Sequence, residues 1–500
     1  MHLSNYSVRR TKQYGYQPGA ESRAYLRPIS RATQINVVLG TEIVNNIGGP
    51  HGKAPAGTCC YGPEGGNHLA EKPVARLPFF YGWIIVALGL LGMASWTGIR
   101  TSFAVFYAAL LDEFGWSRGG AAGVQSVAYI IYLILAPLTG GLIDRFGPRR
   151  VILPGLLICC GGLSLCAYIG SLLQFYLFFG VIVAVGITAI SITAYSPILA
   201  QWFEKKRGLA VGFAVSGMGL GTFLLVPLTQ YFISLWGWRT SFVALGAVIF
   251  IVLFPLTLIF IRHKPGDLGL SPDGLVAGQA PKKRTVRVVD PAWAATDWTV
   301  KRIFKTGRYW ALLIFAFLSI TPVYLMVTHS VRFFVDKGVE RMAAAFFLAT
   351  VGIVSLVFRI FWGWLSDRIG REPTFTMGAL FISLAALCLL LINATGQVRL
   401  AYLFSLLLGM GWGVTAPMFI SAAADLFQGK RFGLIYGILE AVIGAGCAFG
   451  AWFGGFIFDR TQSYQVAFLV CAVLAFASAI VVWFAAPRKV RRMVRVATTE

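Results

Sequence analysis

Three ionisable residues stand deep inside long apolar runs: Arg100 in GIRTSFAVF, Arg359 in VFRIFWGWLSDR and Glu440 in GILEAVIG. A guanidinium in low dielectric keeps its charge and presents a planar fork that matches a carboxylate through two parallel hydrogen bonds. Two such groups make a small organic anion the natural ligand. A buried carboxyl suits proton carriage, because loss of water disfavours its charge. Charges of this kind cost a few kcal/mol or more in hydrocarbon and belong beside a water-filled cavity. Helical rise sets their depth: Arg100 precedes Asp112 by about 18 Å, Arg359 precedes Asp367 by about 12 Å, and Glu440 follows Arg431 by about 13 Å.

The elements that must position them are membrane helices. The 500 residues are 57% hydrophobic and 13% charged, where soluble chains carry about a quarter charged residues. Apolar runs of about 20 residues, enough to cross ~30 Å of hydrocarbon, predict twelve spans near 81–108, 119–143, 151–171, 174–200, 208–235, 240–262, 309–332, 342–366, 373–392, 398–427, 432–458 and 464–486. The third, ninth and twelfth contain no charge within these bounds, and the sixth contains only Arg262, its last residue. The expected fold class is an all-α membrane protein of two pseudo-symmetric six-helix halves. Its predicted divisions are a disordered cytoplasmic tail 1–78, a first half 79–262, a linker 263–308, a second half 309–487 and a basic tail 488–500. The 1–78 tail lacks an export signal, and a start further along the chain is an alternative for it.

Lys and Arg number 43 against 20 Asp and Glu, and most of them fall in the tails and connectors of one side, including RFGPRR, EKKR, DRIGRE and QGKR. By the positive-inside rule that side is cytoplasmic, so both termini are expected there, in the plasma or inner membrane. The basic excess thus reports orientation, and no nucleic-acid module accompanies it. Eight cysteines show no metal spacing, no cofactor motif is present, and most of the cysteines sit in apolar runs as small hydrophobes. A membrane enzyme would need clustered catalytic groups, but the two histidines beyond the tail, His263 and His329, lie far apart.

GGLIDRFGPRR (140–150) and GWLSDRIGRE (363–372) repeat one pattern at the foot of the second and eighth spans. Gly140, Asp144, Arg145 and Gly147 correspond to Gly363, Asp367, Arg368 and Gly370. The second glycine of each copy permits a tight reversal, the aspartate caps or pairs, and the arginine holds the turn on the basic side. A duplicated six-helix unit is the plan of two-half transporters that rock about a mid-membrane site.

With these motifs the chain resembles the major facilitator superfamily over residues 79–487, departing at Pro148, where a basic residue is usual. YGW (81–83), EFGWSR (113–118), WFEKKRGLAVGFAVSGMGLG (202–221) and HKPGDLGLSPDG (263–274) resemble its oxalate/formate antiporter and monocarboxylate porter branch. The resemblance implies a secondary active transporter of a small organic anion, a monocarboxylate rather than a dianion, coupled to a proton or a counter-anion and functional as a monomer in the bilayer. It also places a substrate-binding arginine at Arg359, with Ser355 where the porters carry an acid one turn earlier. Their first-span lysine falls near Arg100.

Competing readings stay open. Arg359 either binds substrate or forms a structural salt bridge, for which Glu440 is one candidate partner. Arg100 faces the cavity or snorkels outward. Glu440 carries the coupling proton or is held ionised by an arginine. His329 gates the outer mouth or is a satisfied helix-end residue. Among the aromatics Tyr132, Tyr195, Trp362 and Trp412, Tyr195 beside Ser196 and Pro197 is the preferred cavity residue. Small residues in the fifth and eleventh spans, GFAVSGMGLG and GAGCAFGAWFGG, are expected at the contact between halves. The runner-up function is a porter for another small organic solute with structural arginines.

Overall fold

The computed structural model describes residues 80–203, 207–268, 270–272, 286–296, 298–427, 432–487 and 490–493. Expectations about the tail 1–78, the centre of the linker, residues 494–500, most of EKKR, all of QGKR and the side chain of Asp144 fall outside them.

The first half contains α1 (Gly82–Phe114), α2 (Arg118–Phe146) and α3 (Pro148–Cys166). Its fourth crossing is assembled from α4 (Leu172–Phe175), a π-helical stretch Tyr176–Val183, α5 (Ala184–Thr188) and α6 (Ile192–Trp202). Then comes α7 (Arg207–Phe260), interrupted at Gly237 with φ 73° and ψ 169°. Eleven helical runs are long and apolar enough to cross a membrane, and one of them has 52 residues. At ~1.5 Å per residue that run is more than twice the hydrocarbon thickness, so it must cross twice. Packing shows the reversal at Gly237. Trp238 meets Phe114 at the end of α1, whereas the carbonyl of Arg262 accepts from Trp202 Nε1 at the opposite face. Twelve crossings result among the described residues.

The second half contains α10 (Gly307–Asp336), α11 (Arg341–Ile369), α12 (Arg371–Thr395), α13 (Leu400–Leu426), α14 (Phe432–Thr461) and α15 (Gln465–Ala485). The linker adds the short α8 (Pro291–Ala295) and α9 (Val300–Ile303). Trp293 fastens it to the second half, donating Nε1 to Leu426 O at 2.8 Å. A feature the helical pattern did not reveal is a ribbon of β1 (Val286–Val288) antiparallel to β2 (Arg491–Met493), with Val286 opposite Met493. One hydrophobic cluster lies within residues 85–261 and the other mainly within 298–490, so each half has its own core.

The two motif turns share a backbone shape: Gly147 has φ 81°, ψ 158° and Gly370 has φ 101°, ψ 167°. Both positive φ values favour glycine. Helices α3 and α12 start immediately after these turns, which puts Arg149, Arg150, Arg371 and Glu372 in their first turns. The charge-free reading of the third and ninth spans therefore applies only beyond that first turn, because the helices begin earlier than hydropathy alone marks. Arg371 organises the second turn, donating to Asp367 Oδ1 and Asp425 Oδ2, both at 3.0 Å. Gly140 and Gly363 face open space, and Arg145 and Arg368 lie over Phe146 and Trp364.

Between the halves, α7 crosses α11 and α14 crosses α2. At the first crossing a Cβ on Gly219 would fall 2.6 Å from Gly352 O, and at the second a Cβ on Gly455 would fall 2.5 Å from Arg118 O. Only glycine permits backbones this close. Ser126 Oγ also donates to Ala448 O across the second crossing at 2.6 Å.

Candidate functional site: a cavity between the halves

A cavity enclosing about 650 Å³ of space outside protein atoms, its mouth included, is bordered by both halves. Arg100 from α1, Arg359 from α11 and Glu440 from α14 all border it, although 259 and 81 positions separate them in turn. Helical periodicity places each on one face of its own helix, and the packing of α1, α11 and α14 turns those faces toward one space.

Arg359 is buried, with 6% of its surface exposed. Its Nη1 donates to Met218 Sδ on α7 at 3.1 Å, and its Cζ lies 5.8 Å from the ring centre of Trp412. Its Nε and Nη2 are buried with no hydrogen-bond partner among the described residues. Such donors cost about 1–3 kcal/mol each when left unmade, and more when charged. The thioether is a weak acceptor. Ser355, one turn earlier, is buried and donates to Gly352 O at 2.8 Å.

Arg100 has a different environment. Its Cζ lies 4.6 Å from the ring centre of Trp96, 4.3 Å from Tyr129, 5.4 Å from Tyr132 and 5.8 Å from Tyr324. Desolvated contacts of this kind are each worth about 2 kcal/mol or more, so the rings hold the cation with no ion-pair partner among the described residues. Tyr324 comes from the second half, so the cage itself bridges the halves. Glu440 accepts from Tyr436 OH at 2.5 Å, one turn back on α14. No ion pair between Glu440 and an arginine occurs among the described residues.

Two other sequence candidates lie elsewhere. Tyr195 is fully buried, its ring packed where a Cβ on Gly92 would sit, and it does not border the cavity. His329 is fully buried nearer the face opposite the motif turns. Its Nε2 lies 2.8 Å from Ala451 O, a carbonyl that can only accept, so Nε2 carries the proton. Nδ1 then accepts, 3.4 Å from Tyr107 OH and 3.3 Å from Tyr464 OH. Of the remaining aromatics Tyr132 and Trp412 border the cavity, while Trp362 donates to Met410 O within the second half.

Sequence reading missed Trp96, Tyr324, Tyr436 and Met218 as cavity residues. Two of them carried a signal: Trp96 precedes Arg100, and Tyr436 precedes Glu440, by the four positions of one helical turn. Also missed was a seal on the face opposite the motif turns. There Asp112 pairs with Arg332 and, at 2.5 Å, with Arg341. Arg118 pairs with Asp336 at 2.5 Å. Asp459 accepts from the backbone N–H groups of Arg118 and Gly119, both at 2.7 Å, at the N-terminus of α2. Every one of these contacts joins the two halves and closes that face.

A duplicated six-helix plan with a charged cavity at the join defines a transporter, not an enzyme. The chain belongs to the major facilitator superfamily, whose family model matches residues 85–427 and 413–499. Among its curated relatives are monocarboxylate transporter 13 of Rattus norvegicus, 24% identical over 410 residues (82% of this chain, 89% of the rat protein), and monocarboxylate transporter 2 of Homo sapiens, 22% identical over 409 residues (80% and 84%). Monocarboxylate transporter 11 of Mus musculus is 26% identical over 421 residues (81% and 87%). Similar solved folds include a bacterial homologue of the human lysosomal transporter Spinster in an inward-facing, unoccupied conformation, with TM-score 0.60, 17% identity, and 83% of this chain and 98% of that one covered. The D-xylose-proton symporter has TM-score 0.62 and 18% identity, with coverage of 81% and 97%.

Proposed function

We propose that this protein is a secondary active transporter that carries a small organic anion, a monocarboxylate, by alternating access, as a proton symporter or an anion exchanger. The observation that carries the reading is Arg359: a buried cation beside a cavity, with two donors on one edge of its guanidinium unpartnered among the described residues. A carboxylate would supply both acceptors at once. Displacing the weak Met218 contact lets the side chain turn that edge into the cavity. Arg100, held by its ring cage, adds positive potential, and Glu440 takes the coupling proton. The relatives named as monocarboxylate transporters support the same cargo.

In this scheme the motif-turn face is cytoplasmic, the membrane is the plasma or inner membrane, and one chain suffices. The halves, 79–262 and 309–487, rock about the Gly219–Gly352 and Gly455–Arg118 contacts, with the linker following. The sealed face opens when its ion pairs part, and His329 sits within that gate. Tyr195 supports α1 at a distance from the cargo.

The test is uptake of labelled formate, lactate, pyruvate and oxalate into proteoliposomes, with and without an inward proton gradient, by wild type and Arg359→Ala. Acid uptake that depends on Arg359 is the expected result. Undiminished uptake by a well-folded Arg359→Ala variant removes that residue from the site. A second reading, a porter for a neutral organic solute with structural arginines, is favoured by the ring cage, which stabilises Arg100 with no substrate present. Absence of uptake of every acid by wild type would favour it.

A further inference from the structure

Resting on the anion reading above, we propose that the cargo is a carboxylate with a flat aromatic body, and that Trp412 is the residue that selects it. The anchor and the selector are neighbours: Arg359 Cζ lies 5.8 Å from the Trp412 ring centre. An acid held at Arg359 therefore extends its body along that indole. Trp412 borders the cavity and is held by its surroundings, only 2% of it being exposed, so the ring is a fixed part of the wall. Tyr324 stands edge-on to it, ring centres 6.0 Å apart at 77°, which leaves an aromatic guest both a stacking surface and an edge contact.

The remaining wall points the same way. Trp96, Tyr132, Phe419 and Tyr436 add four more rings to the lining, with isoleucines between them. A two- or three-carbon acid would satisfy Arg359 and touch little of this wall. A ring attached to the same carboxylate would cover it, and burial of apolar area is what such a wall rewards. Arg100 does not call for a second carboxylate, because four rings already surround its guanidinium.

The experiment compares uptake of labelled propanoate, 3-phenylpropanoate and 3-cyclohexylpropanoate by full-chain wild type, Trp412→Leu, Trp412→Phe and Arg359→Gln in proteoliposomes. In wild type, half-saturation for 3-phenylpropanoate is expected at least about tenfold below that for propanoate, the scale on which apolar pockets discriminate. The cyclohexyl acid should fall between them. Trp412→Leu, which keeps an apolar side chain but no flat face, should cut the phenyl-over-cyclohexyl preference to below about twofold, and Trp412→Phe should retain part of it. Equal handling of the three acids by wild type, each still dependent on Arg359, overturns this proposal alone. Failure of Arg359→Gln to affect any acid overturns the anion reading and this one with it. An undiminished phenyl preference in folded Trp412→Leu removes Trp412 as the selector.

Discussion

Arg359 on α11 and Met218 on α7 meet across the two halves, Nη1 to Sδ at 3.1 Å. A permanent cation is thus placed against a thioether, while the two donors on its other edge have no partner among the described residues. This arrangement is costly in an unliganded protein and is relieved by an acceptor pair of the kind a carboxylate presents.

Arg359→Lys keeps the charge and removes the fork. Loss of a bidentate pair should raise half-saturation for the transported acid about tenfold or more, and Arg359→Ala should raise it further. Concentration-dependent uptake in proteoliposomes checks this, and wild-type behaviour of the lysine variant would show that fork geometry is not used.

Glu440→Gln keeps the shape of the side chain and its proximity to Tyr436 but cannot exchange a proton. Accumulation driven by an inward proton gradient should fall about tenfold or more, while exchange of internal for external acid persists. Parallel loss of both activities would instead mark Glu440 as a structural partner of Tyr436.

The sealed face depends on carboxylates that join the halves. Each partly exposed ion pair is worth up to about 1 kcal/mol, whereas Asp459 receives two backbone N–H groups at a helix N-terminus, where a negative charge is favoured. Asp112→Asn and Asp459→Asn should therefore populate the conformation open on that face. A cysteine placed at Thr328, which is buried, should react with a membrane-impermeant thiol reagent severalfold faster in either background. An unchanged rate would show that the seal is held by other contacts.

Glycine contacts set how closely α7 and α11 approach. Gly352→Val introduces a Cβ 2.7 Å from Thr222 Cβ and 2.8 Å from Gly219 O, so it should destabilise by about 1–3 kcal/mol and reduce transport. Gly212→Ala, on the same α7 but with open space around it, should be neutral or stabilise by up to about 1 kcal/mol. Thermal unfolding in detergent together with uptake distinguishes the two.

The fold was largely readable before any coordinates, because hydrocarbon thickness converts apolar run length into crossings and duplicated motifs mark equivalent places. Gly237 shows the limit of that rule: the fifth and sixth crossings are joined by one residue of positive φ, so the polar connector expected between spans is nearly absent. The β1–β2 ribbon was not readable, since three-residue strands of basic and apolar residues carry no periodic signal. Tyr195 shows another limit. Its neighbours, polar Ser196 and helix-distorting Pro197, suggested a cavity, yet its azimuth turns it into the packing against Gly92.

By itself the sequence determined that charges at positions 100, 359 and 440 lie within apolar spans and that the chain repeats a six-span unit, because both follow from local order along the chain. Only the tertiary structure decided that these three border one space, that Arg100 is enclosed by rings and that Glu440 bonds Tyr436. The first two relations join residues far apart in sequence, and helix packing, through the glycine crossings, sets which faces meet; the third lies within one turn of α14 and depends on how the two side chains are turned there.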